Sequence, residues 1–221
     1  MRHVIRTLGD LGAPLTLAPE RYHAGAMAAE AGELRAHGAP AAAHLGARVV
    51  ERRERVTGDA LARALVIDTT HARDGVLDMA AAARATAASP SASAKRRVRP
   101  GDLLVSRLRP YLRQIALAHP DALAPWGDRV MACSTEFYVL APRDPEDGVA
   151  DLLPWLLGAH AQAVLAAAQE GGHHPRVPRE LLLAMQPPVL PPRARRARAK
   201  AVMDALAAIY AAADAYTRLL I

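Results

Sequence analysis

"KRRVRPGDLLVSRLRPYLRQIAL", residues 95–117, sets seven cationic side chains into and beside an apolar stretch that reads as a buried β-hairpin. In "LLVSRL" (103–108) and "QIALA" (114–118) apolar residues recur with a period of two, the spacing that sends alternate side chains to opposite faces of a strand. "RPGD" (99–102) has Pro second and Gly third, the type II turn preference. In that register Val105, Arg107 and Arg109 share a face, and Arg113 follows a Pro110–Tyr111 bend. Two explanations compete for guanidinium groups in an apolar pattern. Arginines on a solvated edge strand guard against aggregation. Alternatively, Arg107, Arg109 and Arg113 join Lys95, Arg96, Arg97 and Arg99 in one cationic surface. Arginine's rigid fork pairs bidentately with phosphate or with guanine O6 and N7. Ser106 and Tyr111 would add neutral donors for phosphates. The concentration of charge along 95–113 favours the second explanation.

Working outward, "ALVIDTT" (64–70) and "TEFYVLA" (135–141) alternate in the same way and predict further strands. "TAASPSASAKRR" (86–97), small, polar and then basic, predicts an exposed loop. Helices are expected at both ends. One covers 18–38, with Pro19 in its first turn and Gly38 and Pro40 as the stop. Another covers 151–172, with Asp151 as N-cap and Gly171 just past its end. A short one at 178–186 stops at Pro187 and Pro188. The last runs from Arg193 to Leu220, roughly 42 Å at 1.5 Å per residue. Its Arg195, Ala199, Val202, Leu206, Ile209, Ala213, Tyr216 and Leu220 alternate in steps of four and three, an a/d heptad seam that must pack on something.

Composition bounds the class. The 221 residues suit one large domain, or a domain with an appendage, and 52% hydrophobic content excludes a mainly disordered chain. With one Phe and two Trp, the core is expected to combine helices packed through small side chains with a few aliphatic strands. A net charge of +6 favours a polyanionic partner. Cys133 is the only cysteine, which excludes an intramolecular disulfide and a Cys-based zinc site. "MRHVIRTLGDLGAPL" lacks an apolar h-region, and no apolar run approaches a membrane span. A cytoplasmic protein with no membrane partner is expected.

Chemistry-bearing residues are sparse. "CSTEFYVL" (133–140) lacks the G-x-S-x-G elbow of a serine nucleophile. Glu136 suits orienting a hairpin arginine better than accepting from a cytosine amino group. In "QEGGHHPRVP" (169–178) the adjacent His173 and His174 point in different directions and have no partner at metal-ligand spacing. With Arg176 they suit contact with a nucleic-acid backbone. No phosphate-cradling Gly loop, methyltransferase motif or carboxylate cluster for magnesium occurs, so no catalysis, metal or cofactor is expected. The catalytic alternative is a hydrolase or nuclease using Glu136 with His173 or His174.

"PERYHAGA…LRAHGAPAAAHLGA", "RPGDLLVSRLRPYLRQIAL", "CSTEFYVLAP" and "GGHHPRVPRELLLAMQPPVLPP", in that order, resemble the target-recognition domains of type I restriction-modification specificity subunits. "GDLLVSRLRPYLRQIAL" followed by "STEF" carries most of the likeness, which runs from about residue 18 onward. The resemblance implies an α+β fold: a DNA target-recognition domain over 1–192, with a small twisted sheet and helices, then a coiled-coil-type spacer and dimerisation helix over 193–221. It implies a non-catalytic subunit that binds double-stranded DNA and directs a DNA adenine methyltransferase subunit, with or without a restriction or translocase subunit, in phage defence. By motif, Lys95, Arg96, Arg97, Arg99, Ser106, Arg107, Arg109, Tyr111, Arg113, Ser134, Thr135, Glu136, His173, His174 and Arg176 would line the DNA side. Val202, Leu206, Ile209, Ala213, Tyr216 and Leu220 would form the partner side. Family members usually carry two recognition domains, each followed by a helix; one of each here implies a half-subunit that homodimerises through its last helix. Where the family has an acidic-Gln pair this chain reads "PPRARRARAK", which departs from the usual start of the helix. The rival reading is a structural adaptor that scaffolds a multi-subunit complex through that helix without reading DNA.

Overall fold

The "RPGD" turn closes as its residues predict. Gly101 takes φ +85°, and the Asp102 amide donates to the Arg99 carbonyl at 3.1 Å. The computed structural model describes residues 44–169 and 175–219; the expected helix over 18–38, together with Gly171, His173, His174 and Leu220, lies outside them. In chain order the described elements begin with α1 (Leu45–Arg48), β1 (Val49–Glu51), β2 (Arg55–Val56), α2 (Gly58–Ala62), β3 (Leu65–Ile67), β4 (Ala72–Arg73), β5 (Val76–Leu77) and α3 (Met79–Ala88). Next come β6 (Lys95–Arg97), β7 (Leu103–Ser106), β8 (Ile115–Leu117), α4 (Pro120–Leu123), β9 (Met131–Cys133) and β10 (Phe137–Pro142). Helices α5 (Leu153–Leu156), α6 (Ala159–Ala167), α7 (Arg179–Ala184) and α8 (Pro192–Leu219) follow. The chain is thus mixed helix and sheet with a long C-terminal helix.

The central sheet runs β1-β10-β7-β8, every pair antiparallel, with Leu104 opposite Val139 and Ala116. Both of its faces are covered. Leu103, Val105, Tyr138 and Leu140 pack with α5, α6, α7 and α8. Leu104, Ala116, Phe137 and Val139 pack against Leu65, Ile67 and Cys133 of the second sheet. Burial on two sides explains why "LLVS" and "FYVLA" are almost continuously apolar instead of alternating with polar residues. The second sheet runs β2-β6-β9-β3, and only β3 and β9 pair in parallel.

Three expectations need correction. Residues 86–97 are not one loop: α3 holds the chain to Ala88, and Lys95–Arg97 becomes β6, between β2 and β9. Hydrogen bonding to two neighbours overrides a locally unfavourable basic sequence. Arg109 and Arg113 do not continue the β7 register. They take left-handed φ values of 44° and 52° around a 3-10 turn at Pro110–Leu112. Asp151 is not a helix cap. It is 4% exposed and holds both terminal nitrogens of Arg48 at 2.7 Å, while the expected 151–172 helix breaks at Gly158 into α5 and α6.

The C-terminal helix divides along its length. Ala199, Val202, Met203, Leu206 and Tyr210 pack on the core, and Leu206 is buried. Val202 and Leu206, expected to face a partner, are therefore spent within the chain. The buried stripe then turns to Tyr210, whose hydroxyl accepts from the Leu77 amide at 2.9 Å and whose ring stacks on His119 at 5.7 Å. Ile209, Ala213 and Tyr216 remain exposed. Leu206→Ala should lower the unfolding free energy by about 2–5 kcal/mol in a urea titration. Ile209→Ala, 46% exposed, should change it by no more than about 0.5 kcal/mol.

Candidate nucleic-acid interface

Two carboxylates at one end of the central sheet organise most of the arginines that matter. Glu136 precedes β10 and meets Arg107, the residue after β7, because the ladder Phe137 to Ser106 extends one step: the Arg107 amide donates to the Glu136 carbonyl at 3.0 Å. Its side chain accepts from Arg107 Nε at 2.8 Å and from Arg176 Nε and Nη2 at 3.1 and 2.9 Å. Arg176 arrives on an extended segment laid beside the hairpin. Leu108 and Arg176 form a bridge, and the Val177 amide donates to the Arg107 carbonyl at 2.9 Å. Beneath that segment the buried Tyr138 hydroxyl donates to the Val177 carbonyl at 2.7 Å.

Glu51, at the end of β1, is the second anchor, its side chain only 2% exposed. Arg96 Nη1 donates to Oε1, and Arg53 Nε and Arg179 Nε donate to Oε2 at 2.8 and 2.7 Å. Strand geometry explains the choice of Arg96. Alternate residues of β6 point in opposite directions, so Arg96 turns to Glu51 while Arg97 joins Arg99 on Glu54, at 3.6 and 2.8 Å. Tyr138 lies between the two anchors. Burial raises its pKa, and the charges of Arg107 and Glu51 both act on it.

Charge does not balance within this cluster. Arg53, Arg96, Arg107, Arg176 and Arg179 surround Glu51 and Glu136, leaving a surplus of three positive charges among the described residues, or two once the exposed Glu180 beside Arg179 is included. Hydrogen bonds from Arg176 lower the Glu136 pKa from 4.5 to about 2; burial opposes the shift, and Arg107 reinforces it. Burial likewise opposes ionisation of Glu51, but Arg53 and Arg96 outweigh it and hold its pKa below the usual range. An ionised carboxylate fixes the orientation of each guanidinium. Guanidinium groups oriented in this way suit pairing with anionic oxygens. The cluster is a poor setting for a catalytic carboxylate, since both Glu136 oxygens are engaged by cations.

The structure distributes the expected site residues unevenly. Arg107, Glu136 and Arg176 come together, and Arg96 joins the second anchor at Glu51. Arg97 and Arg99 share Glu54. Arg113 is a brace, held by Asp74 at 2.5 Å and donating to the Leu157 carbonyl at 2.8 Å. Ser106 is buried and its hydroxyl bonds across its own turn, accepting from the Leu108 amide at 3.2 Å and donating to its carbonyl at 3.1 Å. Ser134 Oγ accepts from the Glu136 amide at 3.3 Å and shapes the turn that presents Glu136, with Thr135 exposed at its tip. Lys95 Nζ bonds to Ser93 Oγ at 2.7 Å. Arg109 has no carboxylate partner among the described residues and sits beside Tyr111, which is 68% exposed. Glu51, Arg53 and Arg179 were missed. The signal for Glu51 and Arg53 was the charge run "ERRER" (51–55), but nothing local says which charge pairs with which, and Arg179 carried no such signal.

Among the described residues no three His, Cys, Asp or Glu side chains gather to hold a metal ion, and no helix is long and apolar enough to cross a membrane. The chain matches no family model and no curated protein.

Because its folded pKa is depressed, Glu136 contributes stability that is complete above its ordinary pKa of 4.5 and is lost as pH falls towards about 2. Urea titrations between those limits should show wild type losing more stability than Glu136→Gln. Parallel losses would mean that the carboxylate is not held by Arg107 and Arg176.

Proposed function

We propose that this chain binds double-stranded DNA as the specificity subunit of a methyltransferase or restriction complex, with the Glu51 and Glu136 arginine clusters as its phosphate-contacting face. The observation that carries the reading is five arginines on two carboxylates, because each carboxylate fixes the orientation of more than one positive charge. Oriented guanidinium groups lose little rotamer freedom on meeting phosphates and release condensed counterions as they do so. Phosphate contacts set register and carry no sequence information. Reading of bases falls to the neighbouring exposed tip of Arg109 and Tyr111, which projects from the hairpin just beyond Arg107. The resemblance of the hairpin and "STEF" segments to type I specificity subunits supplies the rest: a domain that reads one half-site, a helix that sets spacing, and an adenine-methylating partner that performs the chemistry.

The structural-adaptor reading gains from a specific feature of the hairpin. Arg97 and Arg99 share Glu54 and Arg113 is paired with Asp74, so part of the basic stretch is engaged within the fold. The two readings differ in salt dependence. With about five phosphates contacted, log K for a DNA duplex should fall against log salt with a slope near −4.5. The triple variant Arg107→Ala/Arg176→Ala/Glu136→Gln, which removes the cluster without stranding its carboxylate, should flatten that slope by about two. Fluorescence anisotropy over a salt series measures both quantities. A slope near zero in the wild type, or one unchanged in the variant, would leave the adaptor.

A further inference from the structure

A pocket of about 410 Å³ opens beside β6, lined by Arg97 and not by Arg96, the neighbour that turns to Glu51. Its walls are the Val98–Pro100 segment and the chain from α4 into β9. They are tied together: the Val98 amide donates to the Met131 carbonyl at 2.9 Å, and the Gly101 amide donates to the Ala118 carbonyl, just before α4, at 2.8 Å. The cavity is thus part of the folded framework, and its size falls within the range of small-molecule sites, about 300–1,000 Å³.

Three guanidinium groups line it, those of Arg97, Arg99 and Arg129. Arg97 and Arg99 share the carboxylate of Glu54, at 3.6 and 2.8 Å. Arg129 has no carboxylate partner among the described residues. Its fork reaches the Arg63 and Ala64 carbonyls, both at 3.5 Å, outside the usual hydrogen-bond range of about 2.7–3.2 Å. Glu54 and Asp128 stand against these three cations, which leaves one positive charge over. A phosphate group offers three oxygens to three guanidinium groups, where a carboxylate offers two. The rest of the lining is largely apolar, through Pro100, Pro120, Leu123 and Met131, and a bare inorganic anion would leave that surface uncovered. Asp128 is exposed and can accept from a hydroxyl or amino group.

We infer that this pocket binds a nucleoside monophosphate, with the phosphate on Arg97, Arg99 and Arg129, the base against Pro100, Pro120 and Leu123, and a sugar hydroxyl or ring amine on Asp128. The inference does not rest on DNA binding, since the pocket and the Glu51 and Glu136 clusters share no residues. The backbone of DNA carries similar phosphate chemistry, and the test separates the two sources.

Isothermal titration calorimetry of the full chain with AMP, GMP, CMP and UMP, with their nucleosides and with inorganic phosphate provides that test. At least one nucleotide should bind about tenfold or more tightly than both its nucleoside and inorganic phosphate. Arg129→Ala, at an exposed position, should weaken that nucleotide by about tenfold or more while leaving the thermal unfolding midpoint unchanged. A DNA duplex without 5′-phosphates should leave the nucleotide affinity unaltered. The inference is overturned if no nucleotide exceeds its nucleoside and inorganic phosphate, or if Arg129→Ala binds as wild type does. Displacement of the nucleotide by the duplex would also overturn it, because the pocket would then belong to the DNA face. Intact nucleotide binding beside a flat salt slope for the duplex would remove the DNA reading alone.

Discussion

The buried carboxylate of Glu51 is the interaction from which the rest of the architecture follows. It ends β1 of the central sheet, receives Arg96 from β6 of the second sheet, and receives Arg179 from the start of α7. Three parts of the chain far apart in sequence are thereby fixed to one point. A lone buried carboxylate would cost several kcal/mol in lost hydration. Three guanidinium partners offset that cost and keep the group ionised. The same arithmetic leaves the arginines in excess. Stability of the fold and positive charge at its surface thus have one source.

Asp102 and Asp151 repeat the device with one arginine each, Arg52 and Arg48. Those pairs are neutral and leave no surplus. The difference between a structural ion pair and a receptor for anions lies here in stoichiometry: one arginine per carboxylate holds elements together, while two or three per carboxylate also present charge. By this measure Arg48 and Arg52 belong to the framework, whereas Arg53, Arg107, Arg176 and Arg179, together with Arg97 and Arg99 on Glu54, also present charge. The C-terminal helix shows a similar division. Its first half completes the core through Val202 and Leu206, and its second half leaves Ile209, Ala213 and Tyr216 uncovered.

Much of the fold was legible because the signals were local. The "RPGD" turn, the apolar runs of β7 and β10, the short helix after Pro178 and the long terminal helix all follow from periodicity, proline and glycine. Local signals failed where a partner from elsewhere decided the outcome. Lys95–Arg97 looks like a loop until β2 and β9 flank it. Asp151 looks like a helix cap until Arg48, about a hundred residues earlier, claims both its oxygens. At the candidate site Arg107, Glu136 and Arg176 could be singled out from the sequence, whereas Glu51, Arg53 and Arg179 could not.

The amino-acid sequence by itself determined the class of the chain: mixed helix and sheet, a cation-rich hairpin and a long striped helix, all set by residue type and spacing over a few turns. Only the tertiary structure decided which arginines are neutralised and which remain in excess, and which half of the helix is covered. Charge pairing and burial depend on distances between residues remote in sequence. Those distances exist only once the two sheets and the helices have packed together.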